Sequence, residues 1–181
     1  MIRHIFNFYK IHFLISLTIA IIIITKSSVA NPLAFVAVIA SSIMGGIIFE
    51  ADYLAFAYFL DKESIFSQTL RGYLKDKDFK NALTYTQFHK NEVTDKPLNS
   101  ALFQFALTVL GGLIAFSSSL LFVKALVFSA LAVSIYKAIQ IYFDNNLSSW
   151  FWILKEQPKR NGFFIYIGTL TILLVYFLYL I

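Results

Sequence analysis

From residue 101 to residue 143 the chain runs through 43 residues of which only Lys124 and Lys137 carry charge. Drawn as one helix this stretch would measure about 65 Å, roughly twice the hydrocarbon core of a bilayer. It must double back, and the turn is expected within residues 117–124. That gives one helix over about 101–119 and a second over about 122–143. Small residues recur at four-residue spacing in both arms: Gly111, Ala115 and Ser119, then Ala130, Ser134 and Ala138. Such stripes let two helices approach closely, as a tight hairpin requires.

The same apolar texture recurs on either side. Residues 11–25 hold no charge and follow Arg3, His4 and Lys10. This segment reads either as a retained first span, about 6–25 once Phe6, Phe8 and Tyr9 are included, or as a secretory signal with Ser28, Val29 and Ala30 as its cleavage sequence. His4 and His12 flank it as interfacial residues. Asn31 and Pro32 then signal a helix start. The second span, about 33–53, carries Ala37, Ser41 and Gly45 on one line and Ala34, Ser42 and Gly46 beside it, which points to helix packing. Residues 162–181 are a final uncharged run of 20. Before it lies an interfacial segment, 144–161, with Asp144 as a helix stop and Trp150 and Trp152 as anchors.

Composition fixes the class. At 59% hydrophobic and 14% charged residues, with a mean hydropathy of +0.72, the chain is too apolar for a soluble domain. The expected fold is all-α: a polytopic membrane bundle of about five transmembrane helices, a single integral domain in contact with the lipid bilayer. The formal net charge of +5 does not point to nucleic acid, because the basic residues sit between apolar runs. No nucleic-acid partner is expected. Absence of cysteine removes disulfides, thiolate metal sites and Cys nucleophiles together.

Residues 61–100 form the one long hydrophilic insert, with seven Lys and Arg against six acids. Its apolar residues fall on helical faces: Ile65, Phe66, Thr69, Leu70, Tyr73 and Leu74, then Phe79, Ala82, Leu83 and Thr86. Two amphipathic helices are predicted, lying on the bilayer or folded over the helix ends. Asp76 or Asp78 is expected to cap the second, and Thr94, Asp95 and Pro97 to turn the chain back. The basic insert, together with Arg3, Lys10, Lys155, Lys159 and Arg160, belongs on the cytoplasmic side, leaving Lys26 and Lys124 outside. The expected protein is a multi-pass component of the plasma (inner) membrane with a cytoplasmic N-terminus.

Two carboxylates interrupt the second span. From residue 33 to residue 49 is about 26 Å of helix, which sets Glu50 and Asp52 at the cytoplasmic boundary. A charge there needs a partner, a metal or a wet cavity. On a continuous helix the two point about 200° apart, so a shared ion requires the helix to end or bend between them. His89, Asn99, Ser100, Asp144, Asn145 and Asn146 fall on the same side, and oxygen and imidazole donors of this kind suit Mg, Mn or Zn.

The order of an apolar helix, Glu50-Ala51-Asp52-Tyr53, an amphipathic insert, His89-Lys90 and Leu98-Asn99-Ser100-Ala101 resembles the membrane-bound metal-dependent hydrolase family. Bacterial inner-membrane proteins of that family carry an Asp-x-Asp-His motif followed by His-Arg-Gly-x-Thr-His-Ser. Here Glu50 replaces the first Asp, Tyr53 the first motif's His, and Asn99 the final His, so the resemblance implies a diverged member. It covers about residues 33–125. It implies a divalent metal held by Asp52, His89, Glu50 and Asn99, with Glu50 and Asp52 as catalytic carboxylates, and hydrolysis of a phosphoester-like bond at the cytoplasmic leaflet. The residues themselves leave other readings open. Glu50 and Asp52 suit a helix end whose carboxylates reach water or pair with Lys137 or an insert lysine, and His89 suits a solvated loop. The alternative function is a non-catalytic helix module that associates with itself or with another membrane protein.

Overall fold

A computed structural model describes residues 2–90, 92–93, 96–118, 120–154 and 158–181, with side chains from Tyr9 onward. The expectations resting on Arg3, His4, Phe6, Phe8, Thr94, Asp95, Ser119 and Lys155 lie outside the described residues or side chains. Among the described residues the chain is all-helical, without a strand. Among the described residues four helical stretches are long and apolar enough to cross a membrane: Tyr9–Lys26, Pro32–Leu60, Leu121–Phe143 and Arg160–Tyr179. The sequence expectation was about five. The third expected span is a shorter apolar helix, α6 (Ala101–Ala115), of 15 residues. It stops at Phe116, whose backbone N–H closes on Gly112 and Ile114.

The first helix, α1 (Ile2–Lys26), is followed by α2 (Pro32–Ile47). Asn31 caps α2 by accepting from the Leu33 N–H at 2.9 Å, and Pro32 takes the first turn, where its missing donor costs nothing. The helix tightens into a 3-10 turn at Ile48–Glu50, resumes as α3 (Ala51–Ala55) and ends in a wider π-helical turn at Phe56–Leu60. It therefore neither ends nor unwinds at Glu50, and it runs seven residues beyond the span expected from the sequence.

That extension is held by the insert. Tyr53, Phe56 and Ala57 are buried against Phe66 and Leu70 of α4 (Ile65–Lys75) and Ala82 of α5 (Phe79–Phe88). Phe66 stacks on Tyr85 with ring centroids 5.5 Å apart. The insert folds over the helix end, although Ile65 and Phe79 of the expected faces stay exposed. Ser64 caps α4, and Asp78 caps α5 by accepting from the Asn81 N–H at 3.1 Å.

At the centre lies α7 (Leu121–Phe143), which contacts α1, α2, α6 and α9 (Arg160–Tyr179). Its residues Phe128, Ala130, Leu131 and Val133 are fully enclosed. A short α8 (Leu147–Trp150) follows, and Trp150 is buried with Phe151 and Phe163 rather than placed at the surface, whereas Trp152 is exposed. The bundle has two polar ends. The Tyr9 end of α1 meets Glu50 and the insert, while Lys26 at the other end of α1 donates to the carbonyls of Leu178 and Tyr179 at 3.0 and 2.7 Å.

The small-residue stripe of α2 is spent inside the chain. A Cβ on Gly45 would lie 2.2 Å from the Leu126 carbonyl oxygen of α7, and one on Gly46 would lie 2.2 Å from Ser16 Oγ of α1. Gly45→Ala must therefore push two helix backbones apart and is expected to cost about 1–3 kcal/mol. Gly168→Ala, where nothing lies within 4 Å, is expected to be neutral or stabilising. Thermal unfolding of both variants in detergent checks this, and equal midpoints would refute the close approach.

Candidate functional site

Glu50 and Asp52 face different neighbours, as their spacing on one helix requires. Glu50 Oε2 accepts from the Tyr9 hydroxyl at 2.9 Å and from Gln87 Nε2 at 3.4 Å, so α1 and α5 meet on it. Its Oε1 lies 3.3 Å from Lys137 Nζ of α7. Asp52 is 0% exposed. Its Oδ1 accepts from the Leu98 N–H at 2.9 Å, and its Oδ2 from the Asn99 N–H at 2.8 Å and from Asn99 Nδ2 at 2.7 Å. Ser100 Oγ then caps α6 by accepting from the Phe103 N–H. A carboxylate from α3 thus fixes the chain just ahead of α6, and the negative charge suits the positive end of that helix.

Asn99 and Lys137 join the two carboxylates. Asn99 Nδ2 also donates to the Phe49 carbonyl at 3.0 Å, and its Oδ1 accepts from Lys137 Nζ at 3.0 Å. The ammonium therefore sits between Glu50 and Asn99, 5.0 Å from the centre of the Phe49 ring. The ammonium answers the Glu50 carboxylate, and the oriented amide atoms of Asn99 are used on both sides. Of the residues singled out from sequence, Glu50, Asp52 and Asn99 come together. His89 does not join them: its Nδ1 lies 3.9 Å from Glu92 Oε1, and its ring packs on Tyr85 at 4.2 Å.

As it stands, this donor set does not fit a divalent ion. Both Asp52 oxygens are engaged by N–H donors, and the one ligating atom of Asn99 faces an ammonium. A metal between Glu50 and Asn99 would have to displace Lys137 Nζ or lie against a like charge. Among the described residues no three His, Asp or Glu side chains gather as a metal group.

Compared with protein-family models, curated proteins and solved structures, the chain gives no match in any of the three. The site must be read from its own geometry.

Above the network opens a polar cleft of about 720 Å³. Lys137, Glu50 and Asn99 line it beside Tyr9 and His12 of α1, Lys90 and Lys96 of the insert, and the residues around the C-terminal end of α7. Asp144, Asn145 and Asn146 contribute there, with Asn145 at a positive φ of 54°, a conformation Asn tolerates better than most residues. Lys96 donates to the Lys90 carbonyl and lies 5.6 Å from the Tyr53 ring centre. Burial, with the Lys90 and Lys137 charges adding to it, pulls its ammonium pKa down to about 8.

Sequence reasoning allowed for Lys137 meeting an acid, but it missed Tyr9, His12 and Gln87. His12 faces inward: it is 8% exposed, between the rings of Tyr9 and Tyr136. A signal was present. Tyr9, His12 and Ser16 fall three and four residues apart in α1, which puts three polar groups on one inward face. Ser16 ends that line, accepting from Ser129 Oγ at 2.9 Å through its hydroxyl and from Ser42 Oγ at 2.7 Å through its carbonyl.

Proposed function

We propose that this chain is a multi-pass plasma-membrane protein of five membrane helices, N-terminus cytoplasmic, whose cytoplasmic-end cleft binds a small polar ligand without a metal and without hydrolysing it. The observation that carries this reading is the position of Lys137 Nζ, 3.3 Å from Glu50 and 3.0 Å from Asn99. A fixed ammonium there supplies the cation that the carboxylate needs, and a cleft of about 720 Å³ is of the size that small-molecule sites commonly have. With α6 counted as a fifth, shorter crossing, the insert and Lys10 lie at one end of the bundle and Lys26 at the other. That arrangement agrees with the lysine and arginine bias.

The metal-dependent hydrolase reading has one observation in its favour. Asp52 touches Asn99 directly, so the two motifs that carry the resemblance meet in space. A diverged member in which a lysine has taken the place of the cation accounts for both facts. Association with another membrane helix would have to use a face other than that of Gly45 and Gly46, which is occupied within the chain.

The test is metal analysis of the detergent-purified protein, wild type beside Lys137→Met and Asp52→Asn. No stoichiometric Mg, Mn or Zn is expected in the wild type, even after incubation with each ion. One divalent ion per chain in the wild type, lost in Asp52→Asn, would restore the hydrolase reading.

A further inference from the structure

The cleft contains a buried group that nothing in the protein satisfies. His12 is more than nine-tenths buried and lines the inner wall, yet neither of its ring nitrogens has a hydrogen-bond partner. Buried polar groups are nearly always paired, so an orphaned imidazole in the wall of a polar cavity marks a place that something else fills. Charge narrows what that is. Within the lining, Glu50 is already answered by Lys137, which leaves Lys90 and Lys96 against Asp144 alone. The lining itself thus carries one more lysine than acid, with Asp52 lying behind Asn99, and a cation at the mouth would meet two lysines.

Geometry narrows it further. Lys90 and Lys96 come from the insert, whereas His12 and Gln140 come from α1 and α7 on the bundle side. Donors arriving from separate walls need acceptor oxygens pointing in diverging directions. A tetrahedral oxyanion supplies them, while a planar carboxylate offers two in one plane. We propose that the cleft is a phosphate-group site, with Lys90 and Lys96 holding the oxygens at the mouth and His12 donating from the inner wall. This rests on the metal-free reading of the cleft. The lowered pKa of Lys96, caused by burial and by Lys90 and Lys137, agrees with a cluster of positive charge that an anion would relieve. The phosphate can reach the site from the aqueous side or as the headgroup of an anionic lipid.

Calorimetric titration of the full chain in phosphatidylcholine nanodiscs with inorganic phosphate and with glycerol 3-phosphate tests the first source. Lipid retained after purification from nanodiscs containing phosphatidic acid tests the second. Saturable binding in either arm is expected, weakened about tenfold or more by Lys90→Gln or Lys96→Gln and unchanged by Lys80→Gln, an exposed insert lysine outside the cleft. His12→Phe keeps a ring in place and removes only nitrogens that have no partner. It should weaken binding while leaving the unfolding midpoint unchanged or higher, which a structural histidine would not do. No saturable binding in either arm, or equal losses in Lys80→Gln and Lys96→Gln, would overturn the assignment. The metal analysis is independent of both arms, so a cleft without phosphate affinity and a cleft with a metal give different results.

Discussion

Lys137→Met is expected to destabilise the folded chain by about 3–5 kcal/mol. The substitution nearly preserves side-chain length but removes the ammonium from between Glu50 and Asn99, leaving a carboxylate that is only 16% exposed without its countercharge. Tyr9 and Gln87 still donate to Glu50, yet two neutral donors do not offset a buried charge as an ammonium does. Glu50→Gln placed in the same background removes the stranded charge and is expected to recover a large part of the loss. The two changes should thus be strongly non-additive. Unfolding by SDS in mixed micelles measures all three variants. A loss below about 1 kcal/mol for Lys137→Met, the level of a surface pair, would show that the network is solvated and not a structural unit.

Asp52→Ala should be comparably damaging, about 3–5 kcal/mol, because three donors lose their acceptor at once in a fully buried position. Asp52→Asn separates the cap from any catalytic role. The amide has one acceptor oxygen, and whichever way it is turned its NH2 faces an N–H, of Leu98 on one side or of Asn99 on the other. The better orientation gives up the Leu98 contact, so a smaller loss of about 1–3 kcal/mol is expected. The order Ala worse than Asn worse than wild type, read as unfolding free energies, is the signature of an acceptor that fixes the start of α6. An Asn variant as stable as wild type would place the value of this carboxylate elsewhere, in ligand or metal chemistry.

The bundle was legible wherever uncharged length decided the outcome. Residues 101–143 had to turn, and α7 begins at Leu121, inside the expected window. Length alone did not reveal that the helix after Glu50 continues to Leu60. Its last turns are stabilised by the insert packing on Tyr53, Phe56 and Ala57, a tertiary contact that no local pattern announces. Nor did it show that α6 stops at Ala115.

For the site, a carboxylate at the end of an apolar run was conspicuous, and so was Asn99 just before the next. The identity of the cation was not. Lys137 was visible as one charge in a long apolar helix, but pairing it with Glu50 requires the rotation of α7 about its axis. The close approach of α2 to α7 at Gly45 sets that rotation. Helical spacing could have joined Tyr9 to His12, whereas Gln87 reaches the site through the fold of the insert and leaves no trace in its own neighbourhood.

The contact of Lys26 with the last carbonyls of α9 has a consequence for the order of assembly. Leu178 lies 152 residues after Lys26, so the end of α1 cannot be completed until α9 has been synthesised. Until then the ammonium must be kept by water or by lipid phosphates, while α1 is already held to its neighbours by the burial of Ile19, Ala20 and Ile23, by the serine seam of Ser16, Ser42 and Ser129, and by Tyr9 on Glu50. The final helix therefore closes on a bundle in which α1, α2 and α7 already pack together, and chains stalled before residue 178 would leave the Lys26 ammonium without its carbonyl partners at the end remote from the cleft.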